Sequence, residues 1–194
     1  LKKSTFKIIY FLDYGSLSLT YLDIILKNNF DCNIAIANKE MIVAGGRLLR
    51  NKILKSNNHL IPLDSEHFSL FRLNPLNSET KFLYITASGG PFYFNKRKNL
   101  DNVSKKEVIT HPKWKMGINN SIDSSNFINK ILEIFELSII FDIDIKKIDF
   151  LISREAFVHS LICFNDNTIN INCFDNNMLI PLIKPLTLHL KSKE

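Results

Sequence analysis

Ser121 to Phe141, SIDSSNFINKILEIFELSIIF, limits the fold more than any other stretch of the chain. At about 100° per residue, Phe127, Ile128, Ile131, Leu132, Ile134, Phe135 and Ile139 fall on one broad arc. Asn126, Asn129, Lys130, Glu133 and Glu136 fall on the opposite one. The spacing predicts one amphipathic helix that buries its apolar arc. Ser121, Asp123, Ser124 and Ser125 are cap-type residues and mark its start. Such a start offers hydroxyls and free backbone N–H groups to an anion such as phosphate, with Asn129 and Lys130 a turn later. Glu133 is suited to a hard cation. The competing reading is a capped surface helix with a solvated polar face.

Around this helix the chain reads as α/β. Lys7 to Leu12 and Asn33 to Ala37 are short apolar strands, and Ser18 to Asn28 between them is helical, which implies a parallel βαβ unit. No G-x-G-x-x-G precedes it, so the phosphate-binding turn of a dinucleotide fold is absent from these residues. Met41 to Leu54 is helical despite Gly45 and Gly46, which signal either close backbone packing or an irregularity. His59 to Leu63 is a strand running into Asp64-Ser65-Glu66-His67. If the backbone stays extended, Asp64 and Glu66 point the same way and suit Mg²⁺ or Mn²⁺. If a helix starts there, Asp64 is its cap and Glu66 lies in its first turn.

Lys81 to Ala87 is a strand followed by Ser88-Gly89-Gly90, a turn that an anion can approach closely. From Ser88 to Ser121 little regular structure is expected beyond a short helix at Ser104, and a loop of that length suits a lid. The single tryptophan, Trp114, lies in it. Ile148 to Ile152, Phe157 to Phe164 and Thr168 to Phe174 are strands joined by tight polar turns, which suggests a mixed sheet. His159 reads as a satisfied core or interface histidine. From Asp175 the pattern fades into Pro181, Pro185 and a basic tail.

Composition narrows the function classes. With 194 residues, 45% of them hydrophobic, there is material for one core, or one domain plus part of another. The formal charge of +6 is spread along the chain without an aromatic–basic module, so a nucleic-acid partner is not expected. Cys32, Cys163 and Cys173 form no CxxC pair, which favours a reducing compartment over a disulfide or zinc framework. No apolar run reaches the roughly 18 residues of a membrane span. Asp13 interrupts the N-terminal apolar stretch, and no small-residue cleavage site follows it.

Taken together, ANKE, DSEH, TASGGPF, HPKWKMG and IDSSNFINKILE, in this order and spacing, resemble the 1-deoxy-D-xylulose 5-phosphate reductoisomerase family. The resemblance runs from about Ile34 to Pro185. It implies an α+β catalytic domain whose mixed sheet has helices on one face, preceded by the remnant of a Rossmann-like βαβ unit. The implied division is 1–36 for the remnant of an NADPH domain, 37–180 for the catalytic domain with a lid at about 89–120, and 181–194 for a tail. It also implies NADPH-dependent, metal-assisted rearrangement and reduction of 1-deoxy-D-xylulose 5-phosphate to 2-C-methyl-D-erythritol 4-phosphate, by a cytoplasmic homodimer (or one in a plastid-type organelle). The implied metal is Mg²⁺, Mn²⁺ or Co²⁺.

By motif, Asp64, Glu66 and Glu133 match the metal carboxylates. Lys39 and Ser65 match residues beside the substrate's hydroxyl and carbonyl oxygens. Ser88, Ser124, Asn129 and Lys130 match the phosphate pocket, and His111 and Trp114 the lid. Met116 and Gly117 match positions near the nicotinamide. The chain departs from the family at Ser153-Arg154-Glu155-Ala156, where the family has His-Pro-Gln-Ser, although His159-Ser160 just after it matches, and again over DNNMLIPLIKP. No residue among 1–33 offers a pyrophosphate cradle, so the chain alone is expected to bind metal and substrate without reducing it. The alternatives are a metal-dependent sugar-phosphate lyase or hydrolase, and an inactive truncated product.

Overall fold

The computed structural model describes residues 6–13, 15–28, 32–56, 58–75, 79–93, 102–110 and 117–191. His111, Trp114 and Met116 lie outside them.

The first half is a parallel sheet of three strands. β1 (Ile8–Phe11), β2 (Asn33–Ile36) and β3 (His59–Pro62) run side by side in that order, with Ile9 opposite Ile34 and Ile34 opposite Leu60. α1 (Ser18–Lys27) and α2 (Lys39–Leu54) make the crossovers. Because β3 pairs with β2, this sheet continues beyond residue 36, where the motif boundary falls. The two glycines of α2 act differently. A Cβ on Gly45 would lie 2.7 Å from the Leu49 Cβ and 2.9 Å from Leu19, so α1 packs where only a hydrogen fits. Gly46 has φ 54° and ψ −150° and kinks the helix.

The second sheet is mixed. β4 (Thr80–Ala87) lies between β5 (Ile148–Ile152), parallel to it, and β6 (Val158–Phe164), antiparallel to it, with β7 (Ile169–Cys173) beyond β6. Helices cover one face: Leu83, Ile85, Ile148 and Ile162 pack against Leu70, Leu137 and Phe141. These come from α3 (Ser65–Leu73) and α6 (Ile128–Phe141). On the other face Phe82, Leu151, Ile169 and Ile171 are exposed.

Three expectations change. Ser121–Phe141 is two helices, α5 (Ile118–Ser125) and α6, and the break between them has a local cause. Asn126 Oδ1 accepts from the Ile128 amide at 3.1 Å, while Phe127 turns left-handed (φ 64°) and its ring stacks on Phe150 with centroids 5.3 Å apart. The faces of α6 are also reversed. Glu133 and Glu136 are each 1% exposed, while Ile131 and Phe135 are 45% and 46% exposed. Amphipathic spacing identifies two faces but not which one is buried; here charged partners on α2 and α3 meet the polar face.

Between Ser88 and Ser121 the expected short helix is present as α4 (Lys105–Ile109), with its Ser104/Glu107 capping box, and α5 begins at Ile118. Finally, the tail forms α7 (Leu179–Lys191). Pro181 falls in its first turn, where a missing N–H costs nothing, and Tyr10 Oη ties the Leu182 carbonyl to β1 at 3.0 Å. Pro185 is tolerated inside that helix.

Candidate functional site

Three helix starts converge at the carboxyl ends of the strands. α2 begins at Lys39, with Asn38 as its cap: the Asn38 Oδ1 accepts from the Met41 amide at 2.8 Å. The Asn38 amide nitrogen donates to the Gly15 carbonyl at 2.9 Å, so the turn after β1 fixes where Lys39 stands. α3 begins after Asp64, whose carboxylate accepts from the Glu66 amide at 3.3 Å. The helical alternative for DSEH therefore holds, rather than the extended one. Even so, Asp64 and Glu66 face a common cavity, because a cap and a first-turn residue both lie at the helix mouth. The first turn of α6 brings Asn129 and Lys130, and the next brings Glu133.

These groups form one buried network. The Lys39 ammonium lies 2.6 Å from Asp64, 2.8 Å from Glu133 Oε1 and 2.8 Å from Asn129 Oδ1. Lys130 lies 2.5 Å from Glu66 and 2.7 Å from Glu133 Oε2. The Ser65 hydroxyl donates to Glu66 at 2.5 Å, and the Asn129 amide donates to Glu133. Behind them, His67 contacts Asp64 at 3.3 Å and Glu136 at 3.2 Å. Burial raises the Glu66 and Glu136 carboxyls to about 7, against the pull of their cationic partners. Burial lowers Lys39, Lys130 and His67, but the surrounding carboxylates outweigh it in each case and hold the cations charged; His67 rises to about 9. Asp64 is held well below its ordinary value: burial alone would raise it, and Lys39 and His67 more than offset that.

The cavity above this network has a volume of about 260 Å³. Lys39, Asp64, Ser65, Glu66, Asn129, Lys130 and Glu133 line one side, and Ser88, Gly89, Gly90 and Ser124 another. Ser124 lies within α5 rather than at the start of a helix. A second cavity of about 550 Å³ shares Lys39 and Asn120 with the first and is lined by Asp13, Glu40, Gly117 and Ile118. His159 also lines the first cavity. His159, His67 and Glu136 were not picked out as site residues: His159 sits amid apolar neighbours, and nothing in the sequence pairs His67 with Glu136. The one available clue for His159 was the family match of His159-Ser160.

The donor set fits a hard divalent cation. Asp64 and Glu133 offer carboxylate oxygens close enough to share one ion, Glu66 lines the same cavity beside them, and two ammonium groups now neutralise all three. One oxygen or nitrogen each from Asp64, His67 and Glu133 also lie within 4.8 Å of one another. His67 sits behind Asp64, its Nδ1 3.3 Å from the Asp64 carboxylate and its Nε2 3.2 Å from both the Glu136 carboxylate and the Glu133 carbonyl. Among the described residues no helix is long and apolar enough to cross a membrane.

Residues 60–141 match the family model for the 1-deoxy-D-xylulose 5-phosphate reductoisomerase C-terminal domain. The chain is 38% identical over 174 residues to the 1-deoxy-D-xylulose 5-phosphate reductoisomerase of Pelagibacter ubique, covering 89% of this chain and 44% of that one. It is 40% identical over 152 residues to the reductoisomerase of Clostridium kluyveri, covering 77% of this chain and 40% of that one. The chain thus spans less than half the length of these relatives. A crystal structure of DOX-P reductoisomerase in complex with NADPH, fosmidomycin and magnesium superposes with a TM-score of 0.86 at 28% identity, over 95% of this chain and 48% of that one. The Zymomonas mobilis enzyme in complex with NADPH superposes with a TM-score of 0.79 at 28% identity, over 92% and 46%.

Proposed function

We propose that this chain, related in sequence and fold to the 1-deoxy-D-xylulose 5-phosphate reductoisomerases, is the substrate- and metal-binding part of an enzyme of that activity. The reaction is NADPH-dependent rearrangement and reduction of 1-deoxy-D-xylulose 5-phosphate to 2-C-methyl-D-erythritol 4-phosphate. The observation that carries the reading is the convergence of Asp64, Glu66 and Glu133 with two buried lysines on one cavity.

Asp64, Glu66 and Glu133 hold a divalent cation, which when bound polarises the substrate's carbonyl and adjacent hydroxyl oxygens. Lys39 and Ser65 stand beside those oxygens and orient them. Ser88, Ser124, Asn129 and Lys130 hold the phosphate. Lys130 becomes available to it once Glu66 and Glu133 take another cation. Gly117, with Met116, serves the nicotinamide end of NADPH. The shared wall of the two cavities at Lys39 supports that placement, and Asp13 and Glu40 suit the neutral ring better than the cofactor's phosphates. His111 and Trp114 belong to a lid over about 89–120 that excludes water.

Residues 1–36 are the margin of the NADPH-binding domain, 37–180 the catalytic domain and 181–194 its tail; β3, inside the catalytic range, completes the parallel sheet. The open face of the mixed sheet pairs with a second copy. Cys32, Cys163 and Cys173 form no disulfide, which supports a reducing, cytoplasmic setting.

Calorimetry with Mn²⁺ tests the site. One ion is expected to bind per chain, and Glu133→Gln to weaken it at least about tenfold, as for loss of a charged ligand. Equal affinities would remove the carboxylate assignment. 1-Deoxy-D-xylulose 5-phosphate is expected to bind more tightly with Mn²⁺ present and more tightly than glucose 6-phosphate; failure of both would overturn the substrate reading.

A further inference from the structure

Arg154 carries no role in the site above and does not line its cavity, yet it grips the turn that does. The β4–β5 ladder brings it there. Ile152 stands opposite Ala87, and the Ser153 amide extends the pairing by donating to the Ala87 carbonyl at 2.8 Å. The next residue of each strand is then Arg154 and Ser88. A guanidinium nitrogen of Arg154 donates to the Ser88 carbonyl and to the Gly90 carbonyl at 3.4 Å. The guanidinium also stacks on the Tyr93 ring, 4.8 Å from its centroid. The turn between them has no slack. A Cβ on Gly89 would lie 2.7 Å from the Tyr93 ring and 3.1 Å from Arg154, and one on Gly90 would lie 2.8 Å from the Ser124 carbonyl.

The geometry points to Arg154 as a positioning residue for anion binding, holding the Ser88–Gly90 turn in register against Ser124. The inference rests on the phosphate-pocket reading above. The peptide bond is planar and trans, so with the Ser88 carbonyl drawn to Arg154 the Gly89 N–H points the opposite way. That side is the cavity wall which Gly89 lines, and there the N–H meets an anion. An arginine suits the task because one guanidinium nitrogen reaches two carbonyls while the guanidinium plane stacks on Tyr93.

The test compares the full chain with Arg154→Met, which keeps the stem, and Arg154→Lys, which keeps one charged donor. Inorganic phosphate and Mn²⁺ are titrated separately, and hydrogen exchange of the Gly89 amide is followed. Arg154→Met is expected to weaken phosphate about five- to tenfold, to leave Mn²⁺ within about twofold, and to speed Gly89 exchange about tenfold or more. Arg154→Lys falls between. Unchanged phosphate binding and unchanged exchange in Arg154→Met would overturn the inference, as would an equal loss of Mn²⁺ and phosphate. If the parent binds no phosphate, the pocket reading fails, and Gly89 exchange alone then decides whether Arg154 holds the turn. Should the methionine variant fail to fold, the same comparisons are read from Arg154→Lys.

Discussion

Lys130 shows how one side chain can serve two charges in turn. In the structure it neutralises Glu66 and Glu133 at 2.5 and 2.7 Å, the same carboxylates proposed to hold the cation. Its removal therefore separates the two ligands. Lys130→Ala is expected to weaken a phosphonate substrate analogue by about 1.5–3 kcal/mol, since a charge-assisted hydrogen bond is lost. Mn²⁺ affinity is expected to hold or rise, because a competing ammonium has gone; calorimetry of both ligands on the variant checks this, and a parallel loss of both would count against it. His159 makes a different case. Its ring stacks on Phe174 with centroids 3.8 Å apart, and a ring nitrogen lies 3.1 Å from the Phe174 carbonyl. Burial holds it below its ordinary value. The folded chain thus binds this proton less readily than the unfolded one. The stability involved is intact above pH ~6.5 and lost as pH falls below it. In urea unfolding, His159→Gln is expected to remove up to about 1.4 kcal/mol per pH unit of slope below that point, relative to the parent. Identical slopes would show that His159 does not titrate between the two states. Asp64 and Glu66 stood out in the sequence as neighbouring carboxylates, and Glu133 through its place on the polar arc of the helix and its motif. His67 and Glu136 did not, because their pairing at 3.2 Å joins helices nearly seventy residues apart.

At the scale of elements, the strands were legible and the faces of α6 were not. Short β-branched runs bounded by polar turns leave few choices, and all seven expected strands are present within a residue or two of their predicted ends. A period of 3.6, by contrast, says only that a helix has two sides. α6 buries its charged side because Lys39, Asp64, Glu66 and His67 face it from other elements, and buried charges are tolerable only when paired in this way. The same helix ends at Asp142 in the left-handed region, with φ 54°. That conformation costs a non-glycine residue roughly 1–2 kcal/mol. The side chain is 52% exposed and its contact with Arg50 is 3.4 Å, an ion pair worth about 0–1 kcal/mol. Asp142→Gly is therefore expected to stabilise the chain by about 0.5–1 kcal/mol, raising the urea midpoint with the slope unchanged. A lower midpoint would mean that the Arg50 pair outweighs the backbone strain.

For the whole molecule, the two sheets are treated unequally, and the difference bears on assembly. Helices cover one face of the mixed sheet and leave the other open. Register places the open residues together: Phe82 stands opposite Cys163, which stands opposite Ile169, and Tyr84 opposite Leu161, which stands opposite Ile171. Ile169 and Ile171 remain 54% and 51% exposed. Contiguous apolar surface of this kind marks an interaction site, and the proposed occupant is a second copy of the chain. A two-fold interface uses each residue twice, once from either side. Burying one isoleucine contributes about 1.5–3 kcal/mol, so Ile171→Lys disrupts the dimer at two places. Sedimentation equilibrium is expected to show a dimer for the parent and at least a hundredfold weaker association for the variant, about 3 kcal/mol or more. Mn²⁺ binding serves as the control. The carboxylates proposed to hold the metal lie at the start of α3 and on α6, on the covered side of the sheet, so the monomeric variant is expected to bind the ion as the parent does. A parent that sediments as a monomer at high concentration would leave the open face to a different partner.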